Sequence, residues 1–238
     1  MYYDGFTYLG KHSGKDMGLT IASREFNVPN KIKRIKRPPF SNKDIDFSEI
    51  YGSQIYDNKT IKYQINIFNQ RIRSKHEMNT LKTKVVNWLM NSNGKQKLYD
   101  DYYYGYYFLA EVEGGVSFEE NWIDGTLDVT FTCYPFMISE LQEGHDLWDN
   151  INFELDVLQP TSFEVAGTKD IVLINVGTPD VIPRIISDSN FVITTEGKSF
   201  SVGSGTTEDA DFTLTSGENK LKLEGNGNIE FVFYKELI

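Results

Sequence analysis

The chain has 238 residues, of which 24 are basic and 34 are acidic, so its formal charge is −10. Because phosphate affinity comes from lysine and arginine, this balance argues against a general nucleic-acid-binding protein. Cys133 is the single cysteine, which excludes an intrachain disulfide framework.

The N-terminal half begins with short runs that are typical of strands. Two of them cover residues 19–22 and 32–35, and Asn-Val-Pro-Asn at 27–30 predicts a turn between them. The clearest strand covers residues 60–68, where apolar and polar side chains alternate with the period of two that a half-buried strand requires. Its alternating apolar positions are Ile61, Tyr63, Ile65 and Ile67.

The basic run of the chain lies at residues 31–37, with the sequence Lys-Ile-Lys-Arg-Ile-Lys-Arg. The alternation predicts an exposed strand whose charges discourage edge-to-edge pairing. A specific acidic partner, such as an adjacent subunit, is the alternative interpretation.

An amphipathic helix is predicted at about residues 74–92. Ser74 and Glu77 have the spacing of a capping box, in which each side chain accepts a hydrogen bond from the other residue's backbone N–H. The apolar residues that follow recur at helical spacing and form one stripe: Met78, Leu81, Val85 and Trp88 or Leu89. Asn-Gly at 93–94 then predicts a left-handed stop.

Strand patterns return after the helix. Residues 106–112 form an aromatic and apolar run. Residues 125–134 alternate strictly between apolar and polar side chains, which predicts another half-buried strand. Pro135 is predicted to end this strand, because proline cannot donate to a strand ladder.

A domain boundary is predicted near residue 140, because residues 139–160 are acidic and lack periodicity. Residues 1–140 then form a β domain with one helix, and residues 141–238 an all-β domain with the closely spaced strands of a sandwich. The predicted strands of the second domain cover residues 171–176, 184–186, 191–195, 212–215, 220–223 and 229–234. The predicted turns of this domain cover residues 175–179 and 224–228.

Motifs for catalysis or metal binding are missing from the sequence. The histidines His12, His76 and His145 share no metal-ligand spacing, and surface or turn positions are predicted for all of them. Gly-Ser-Gly at 203–205 lacks the following helix that a nucleophile elbow or a phosphate loop requires. Cys133 lies in an apolar strand, which favours a buried structural thiol over a nucleophile. We therefore predict no catalytic, cofactor-binding or metal-ligating residues.

Acidic residues surround the aromatic stretch at 102–108: they are Asp100-Asp101, Glu119-Glu120 and Asp124. Paired acids beside aromatic rings would suit a glycosidase, but acids that flank strands in a chain of this charge are expected to be solvated turn residues. The tyrosines suit either sugar stacking, as in a lectin-like module, or an intersubunit contact. Glu-Asp-Ala-Asp at 208–211 lacks the register of an EF-hand loop and predicts a solvated hairpin tip.

The order of these elements resembles the distal tail protein (Dit) family of siphophages that infect Gram-positive bacteria. In the first domain the resemblance rests on Asp46-Phe47-Ser48, residues 56–61, the helix and residues 130–136. In the second domain it rests on residues 175–178, 183–185, 212–219 and 229–234. One departure is Pro-Pro-Phe-Ser-Asn at 38–42, where the family leads us to expect a glycine-containing turn.

The resemblance implies a mainly β fold, with an N-terminal β-sandwich or split-barrel domain that bears the helix and a C-terminal galectin-like β-sandwich. It also implies a hexameric ring at the distal end of the tail in the virion, after synthesis in the host bacterial cytoplasm. The ring would connect the tail tube to the adsorption apparatus and surround the DNA-exit channel.

The partners that the resemblance implies are further copies of the chain, the major tail or tube protein, the tape-measure protein, a tail-tip (tail-associated lysin-like) protein and receptor-binding or baseplate proteins. It implies no membrane contact, and DNA is expected only in passage through the channel. The sequence thus predicts a structural protein that is not an enzyme, has no cofactor and whose partner interfaces are not identified. The alternative is a carbohydrate-binding β-sandwich module for host cell-wall glycans, with the tyrosines of residues 102–107 as its stacking platform.

Overall fold

A computed structural model describes residues 4–50, 52–67, 74–120, 125–147, 152 and 154–238. The described residues form a mainly β fold with one α-helix, which confirms the predicted fold class. The chain divides into two compact units: the first comprises Met1–Arg34, Tyr56–Met137 and Ile238, and the second comprises Ile35–Ile55 and Ile138–Leu237. The sequence did not predict that residues 35–55 belong with the second unit, and the division near residue 140 stays a prediction.

The elements up to residue 139 are, in chain order, β1 (Phe6–Tyr8), β2 (Lys11–His12), β3 (Thr20–Phe26), β4 (Ile35–Lys36), β5 (Ile45–Asp46), β6 (Lys59–Asn66), α1 (Lys75–Leu89), β7 (Gln96–Asp100), β8 (Tyr106–Glu111), β9 (Ser117–Glu120) and β10 (Gly125–Ser139). The first unit is built on a sheet with the strand order β2-β1-β7-β8-β10-β6-β3, and β9 also pairs with β10. Strands β4 and β5 pair with each other.

The alternation predicted at residues 60–68 and 125–134 is confirmed for the described residues; Phe68 lies outside them. Strands β6 and β10 pair antiparallel, with Tyr63 opposite Val129. Because side chains alternate across a strand, the apolar residues of both strands lie on one face. The members of this face that are almost completely buried are Ile61, Tyr63, Ile65, Leu127, Val129 and Phe131.

Helix α1 confirms the predicted helix, although it ends at Leu89 rather than near residue 92. Ser74 is the N-cap, and its hydroxyl accepts a hydrogen bond from the backbone N–H of Glu77 at 3.2 Å. The helix ends at Met90 in a right-handed conformation, so the left-handed Gly94 belongs to the turn before β7. The buried residues of the apolar stripe are Met78, Val85, Trp88 and Leu89.

The prediction that Pro135 ends its strand is wrong, because β10 continues to Ser139. The ladder between β10 and β6 runs only as far as Cys133, which lies opposite Lys59. Proline therefore follows the last residue pair of this ladder, where its missing N–H removes no hydrogen bond to β6.

The second unit continues with β11 (Ser162–Asn175), β12 (Arg184–Ser187), β13 (Phe191–Thr195), β14 (Lys198–Val202), β15 (Gly205–Thr207), β16 (Gly217–Val232) and β17 (Glu236–Leu237). Its main sheet has the order β14-β13-β16-β12-β15, and β11 also pairs with β16. The strands predicted at 184–186 and 191–195 are confirmed. Buried apolar side chains from these strands form a core of their own, which includes Leu173, Ile193, Leu223 and Phe231.

The turn predicted at residues 224–228 is wrong, because β16 runs through these residues and pairs with β11 along them. A Cβ atom at Gly225 would lie 2.5 Å from the ring of Phe191. At Gly227, where φ is +135°, a Cβ atom would lie 2.1 Å from Oδ1 of Asp188. The glycines therefore leave room for neighbouring side chains close to the strand, and they do not form a turn.

Two other predicted strands are also wrong. Of residues 32–35, only the last belongs to a strand. Residues 212–215 contain only a single bridge, between Leu214 and Val181. Phe212 and Leu214 are nevertheless buried in the second core, so the alternation reflects inward-facing side chains of a loop.

Candidate interaction surface

A buried polar cluster in the first unit surrounds Arg24 of β3, whose side chain is 9% exposed. The guanidinium donates to Oδ2 of Asp100 at 3.0 Å and to Oδ2 of Asp4 at 3.1 Å. The hydroxyl of Tyr63 donates to the same oxygen of Asp100 at 2.9 Å. The ring of Tyr102 covers the guanidinium at 4.2 Å, and its hydroxyl donates to Asp4 at 3.1 Å.

The charges of this cluster are matched. The hydrogen bond from Arg24 lowers the pKa of Asp4. Burial alone would lower the pKa of Arg24, but the hydrogen bond to Asp4 and the charge of Asp100 raise it overall. Burial, together with the charge of Asp100, raises the pKa of Tyr63 well above its ordinary value. Each buried ion has an opposite charge within hydrogen-bonding distance, so the loss of one partner would leave an uncompensated buried charge.

The cluster also joins strands that are distant in the sheet order. Strand β3 lies at one edge of the sheet, whereas Asp100 ends β7, four positions away. Phe26 of β3 makes a parallel connection, with its ring 4.7 Å from that of Tyr103 and 5.8 Å from that of Phe108. Arg24 and Phe26 thus hold the curled sheet together across its interior.

His12 is buried rather than at the surface, and its contacts fit the other role predicted for it, in a turn. Its Nδ1 accepts hydrogen bonds from the backbone N–H groups of Gly14 and Lys15, both at 3.0 Å. We assign the ring proton to Nε2 because Nδ1 is an acceptor, and Nε2 then donates to Asp101 at 3.1 Å. His12 therefore shapes the turn after β2, while His76 is exposed on the helix.

Of the acidic residues considered for a glycosidase, Asp100, Asp101 and Glu120 make ion pairs with other side chains. Asp100 belongs to the Arg24 cluster, and Glu120 pairs with Lys75 at 3.1 Å. Glu119 lies exposed on β9, and Asp124 lies outside the described residues. No group of three or more potential metal ligands occurs in the part of the chain that the structure describes.

The tyrosines at 102–107 do not form one stacking surface. Tyr103 packs inward against Phe108, with ring centroids 5.4 Å apart. Tyr102 is mostly exposed, but its ring covers Arg24. Of this stretch, only Tyr104 extends into solvent with no ring contact or side-chain hydrogen bond in the described residues.

Lys59 and Cys133 lie opposite each other in β6 and β10, and both are buried. Burial lowers the pKa of the Lys59 amine to about 8 and raises the pKa of the Cys133 thiol to about 12. The amine lies 4.8 Å from the ring centroid of Phe108, which is a cation–π distance. The predicted burial of the Cys133 thiol is confirmed.

The second unit has a shallow groove of about 410 Å³ on β11, β13 and β16. No aromatic ring lines it, and its polar side chains are Asp170, Thr194, Thr195, Glu196, Lys220 and Lys222. The groove therefore mixes both signs of charge and lacks a surface on which a sugar ring would stack. Residues 208–211, predicted as a solvated hairpin tip, are exposed but do not connect two paired strands, because β15 before them pairs with β12.

Exposed apolar side chains concentrate in residues 35–55, which we call the hairpin segment. Strands β4 and β5 pair within it, with Ile35 opposite Asp46 and Lys36 opposite Ile45. Its apolar side chains that remain largely exposed are Ile35, Phe40, Ile45, Ile50 and Ile55. The hairpin segment is a candidate protein-binding surface because of the number of its exposed apolar side chains, of which Ile35 and Ile45 project from opposite faces of the β4–β5 pair.

The sequence matches no protein-family model and no curated protein. The fold is similar to the crystal structure of the SPP1 Dit (gp 19.1) protein, which is described as a paradigm of the hub adsorption apparatus in phages that infect Gram-positive bacteria. The TM-score is 0.61, the sequence identity is 9%, and the match covers 100% of both chains. The fold of this chain is therefore Dit-like along its whole length. No helix of the described residues is long and apolar enough to cross a membrane.

Sequence reasoning missed the Arg24 cluster. Asp100 and Asp101 were noticed as neighbouring acids, but they were interpreted as solvated turn residues. The available signal was Arg24 itself, the single cation of β3. Its partners lie 20 and 76 residues away, so only the three-dimensional fold identifies them.

Proposed function

We propose that this protein is a structural hub without catalytic activity at the distal end of a phage tail, where it joins the tail tube to the adsorption apparatus. The observation that supports this role is the fold likeness to SPP1 Dit over 100% of both chains. Because the likeness includes both units, the proposal concerns the whole chain rather than one of its domains.

The proposed assembly is a homohexameric ring. Its N-terminal domains, residues 1–140, surround the DNA-exit channel, and its galectin-like C-terminal domains, residues 141–238, hold the adsorption proteins. The formal charge of −10 supports the channel role, since a net acidic surface lets DNA pass without adhering. Its proposed neighbours are the tube, tape-measure, tail-tip and receptor-binding or baseplate proteins.

Immunogold labelling of purified virions tests the proposal. We expect the label only at the distal end of the tail, and we expect particles produced without this protein to lack an adsorption apparatus. Light scattering of the purified chain is expected to give six times the monomer mass, and a complex with tail-tip partners is expected to contain six copies of the chain. A chain that is absent from virions, and that binds host cell walls through Tyr102 and Tyr104, would instead support the carbohydrate-binding alternative.

A further inference from the structure

Strand β11 forms an edge of the main sheet of the second unit. It pairs with β16 along its whole length, from Ser162 to Asn175, and with no other strand of the described residues. In an antiparallel pair, residues whose N–H and C=O groups face the partner strand alternate with residues whose groups face away from it. Every second residue of β11 therefore directs its backbone groups toward the open side of the strand.

The side chain of Gln159 shows which residues these are. Its Oε1 accepts from the N–H of Ile174, and its Nε2 donates to the C=O of Ile174, both at 2.7 Å. Because Gln159 lies outside β16, the backbone groups of Ile174 face away from β16. The alternation then directs the backbone groups of Thr168, Asp170 and Val172 to the same side.

Side chains close both ends of this side of β11 and leave its middle open. Gln159 occupies both backbone groups of Ile174, and the ammonium of Lys169 donates to the C=O of Glu164 at 3.0 Å. Between these two positions, the outward N–H and C=O groups of residues 168–172 have no hydrogen-bond partner in the part of the chain that the structure describes. We call residues 168–172 the open edge. Unpaired groups of this kind are a template for a further strand.

The backbone groups of the open edge specify the kind of partner that satisfies them. Donors and acceptors that recur at every second residue match the backbone of an extended peptide, which carries the same groups at the same spacing. The open edge spans about 17 Å, which is the length of a strand of about five residues. An extended segment of a protein is therefore the occupant that the edge fits.

The side chains of the open edge add a preference for charge and polarity. Asp170 and Val172 are both exposed, and 44% of the Val172 surface is accessible. Asp170 lies opposite Lys222 of β16, whose ammonium pairs with Glu224 at 2.6 Å, and Asp170 makes no ion pair of its own in the described residues. A partner strand with a cation opposite Asp170 and an apolar side chain opposite Val172 would complement both residues.

A second copy of this chain does not match the open edge. Its own β11 would be the corresponding strand. Antiparallel pairing of two β11 strands about residues 169–171, however, places Asp170 of one copy opposite or diagonal to Asp170 of the other. Like charges on paired strands are destabilising, so a strand of a different protein is the better match.

We propose that the open edge of β11 binds an extended strand of an adsorption protein, which adds to the sheet and places a basic residue opposite Asp170. Backbone hydrogen bonds supply the affinity of such a contact, and the alternate side chains supply its specificity. This contact rests on the proposed hub role and describes how the second unit holds its partner.

Residue-resolved hydrogen exchange tests whether the open edge is occupied in the tail. In the purified chain, we expect the N–H groups of Asp170 and Val172 to exchange rapidly, and those of Ile171 and Leu173, which face β16, to exchange slowly. In purified virions, we expect the exchange of Asp170 and Val172 to slow by at least about 100-fold, as for amides that enter a ladder. Exchange that is equally fast in both samples would overturn the contact.

Photo-crosslinking in virions identifies the partner. A photo-reactive phenylalanine analogue replaces the exposed Val172, and we expect it to join this chain to a different virion protein. The crosslinked peptide is expected to be an extended segment that contains lysine or arginine. Crosslinks only between copies of this chain, or only to cell-wall glycans, would overturn the contact.

Proline at position 172 removes one donor of the open edge and no bond of the ladder. The N–H of Val172 faces away from β16, so Val172→Pro is expected to keep the native fold, which circular dichroism checks. We expect the variant to bind the purified crosslinked protein at least about 10-fold more weakly. Val172→Ala keeps the N–H and is the control, with a change below about 3-fold expected. Equal binding by the two variants would overturn the backbone pairing.

Asp170→Lys changes only a side chain of the open edge, so this test does not depend on whether the strand tolerates proline. We expect binding of the same protein to weaken about 10-fold at about 0.1 M salt and much less at about 1 M salt, where screening is strong. Glu208→Lys makes the same change of charge at an exposed residue outside the open edge and is the control. Equal weakening by both variants would overturn the role of Asp170.

The strand contact and the hub role fail in distinguishable ways. A chain that lies at the distal end of the tail, but whose Asp170 and Val172 amides stay unprotected there, overturns only the strand contact. A chain that is absent from virions overturns both.

Discussion

The two units of this chain accommodate buried polar groups in different ways. The first unit buries ions, with Arg24 paired to Asp100 and the amine of Lys59 beside an aromatic ring. The second unit also buries an ion pair, between Lys235 and Asp156, together with Glu143, but its loops rely on neutral amides and β16 relies on glycines. Both units should therefore respond to changes of charge, and the second unit also to atoms added at Gly225 and Gly227.

Asn175 and Asn219 are neutral side chains that pair with backbone groups of the second unit. The amide of Asn175 donates to the carbonyls of Pro179 and Leu214 at 2.9 and 3.0 Å. Asn219 both accepts from and donates to the backbone of Thr215, each at 2.8 Å. Neutral side chains thus satisfy the backbone groups of the loops, and no net charge is buried with them.

The largest expected effect is that of Arg24→Met. The substitution leaves Asp100 buried without its cation, so we expect the free energy of unfolding to fall by about 3–5 kcal/mol. Denaturant titration of the purified chain measures this loss. The matched control is Arg37→Met, which removes a two-point ion pair that is exposed, and about 0–1 kcal/mol is expected there. Similar losses in both variants would contradict the distinction between buried and exposed pairs.

Gly227→Ala tests whether an added Cβ atom destabilises the second unit. The new Cβ would meet Asp188 in a backbone conformation that L-residues rarely adopt, so a loss of about 2–3 kcal/mol is expected. Gly203→Ala is the control, because no atom lies within 4 Å of its Cβ position, and less than about 0.5 kcal/mol is expected. Hydrogen exchange of the β16 amides locates the effect. Equal exchange in the two variants would show that the nearness of Asp188 is not the reason for a glycine at position 227.

The difference between local periodicity and contacts from distant residues explains which features the sequence could predict. Strand β6 and helix α1 follow from local periodicity, because each buries one face of a regular element. The Gly-rich residues 224–228 resemble a turn by composition, and only the ring of Phe191 beside Gly225 reveals why glycine lies within a strand. The Arg24 cluster escaped prediction for a related reason, since its partners come from distant strands.

The hairpin segment contains a third feature that the sequence did not predict. Its basic run and its prolines were visible in the sequence, and an acidic partner was considered for it. The local conformation of Phe40 was not visible, because a left-handed φ at a bulky residue contradicts ordinary propensity. Strain of this kind is set by the surrounding loop, which propensity does not describe.

The stability of the first unit is expected to depend on pH through the buried Lys59 and Cys133. The pKa of Lys59 falls from an ordinary 10.5 to about 8 in the folded chain, so its contribution is lost as the pH falls toward 8. Unfolded chains then bind more protons than folded ones between pH 8 and 10.5, and stability rises with pH there. The thiol of Cys133 acts in the opposite direction above pH 9, because its pKa rises from 9.0 to about 12 on folding.

We therefore expect the free energy of unfolding to rise by about 0.5–1 kcal/mol between pH 8 and 9. Lys59→Met should abolish the rise, since methionine fills similar space without a titrating amine. Lys62→Met is the control: this lysine is exposed and pairs with Glu25 at 3.1 Å, and the rise should persist. Denaturant titrations at the two pH values distinguish these outcomes, and a rise that survives Lys59→Met would exclude Lys59 as its source.

An effect much smaller than that of Arg24→Met is expected for a single neutral hydrogen bond of the first unit. Ser74→Ala removes the acceptor for the N–H of Glu77, and helix caps of this kind contribute about 1 kcal/mol. Ser74→Asp keeps an acceptor at the cap and is expected to retain the stability, because its charge also suits a helix N-terminus. Hydrogen exchange of the first-turn amides measures the local change. If Ser74→Ala destabilised the chain as much as Arg24→Met, neutral caps rather than buried ions would dominate the first unit, and the contrast between the units would lose its basis.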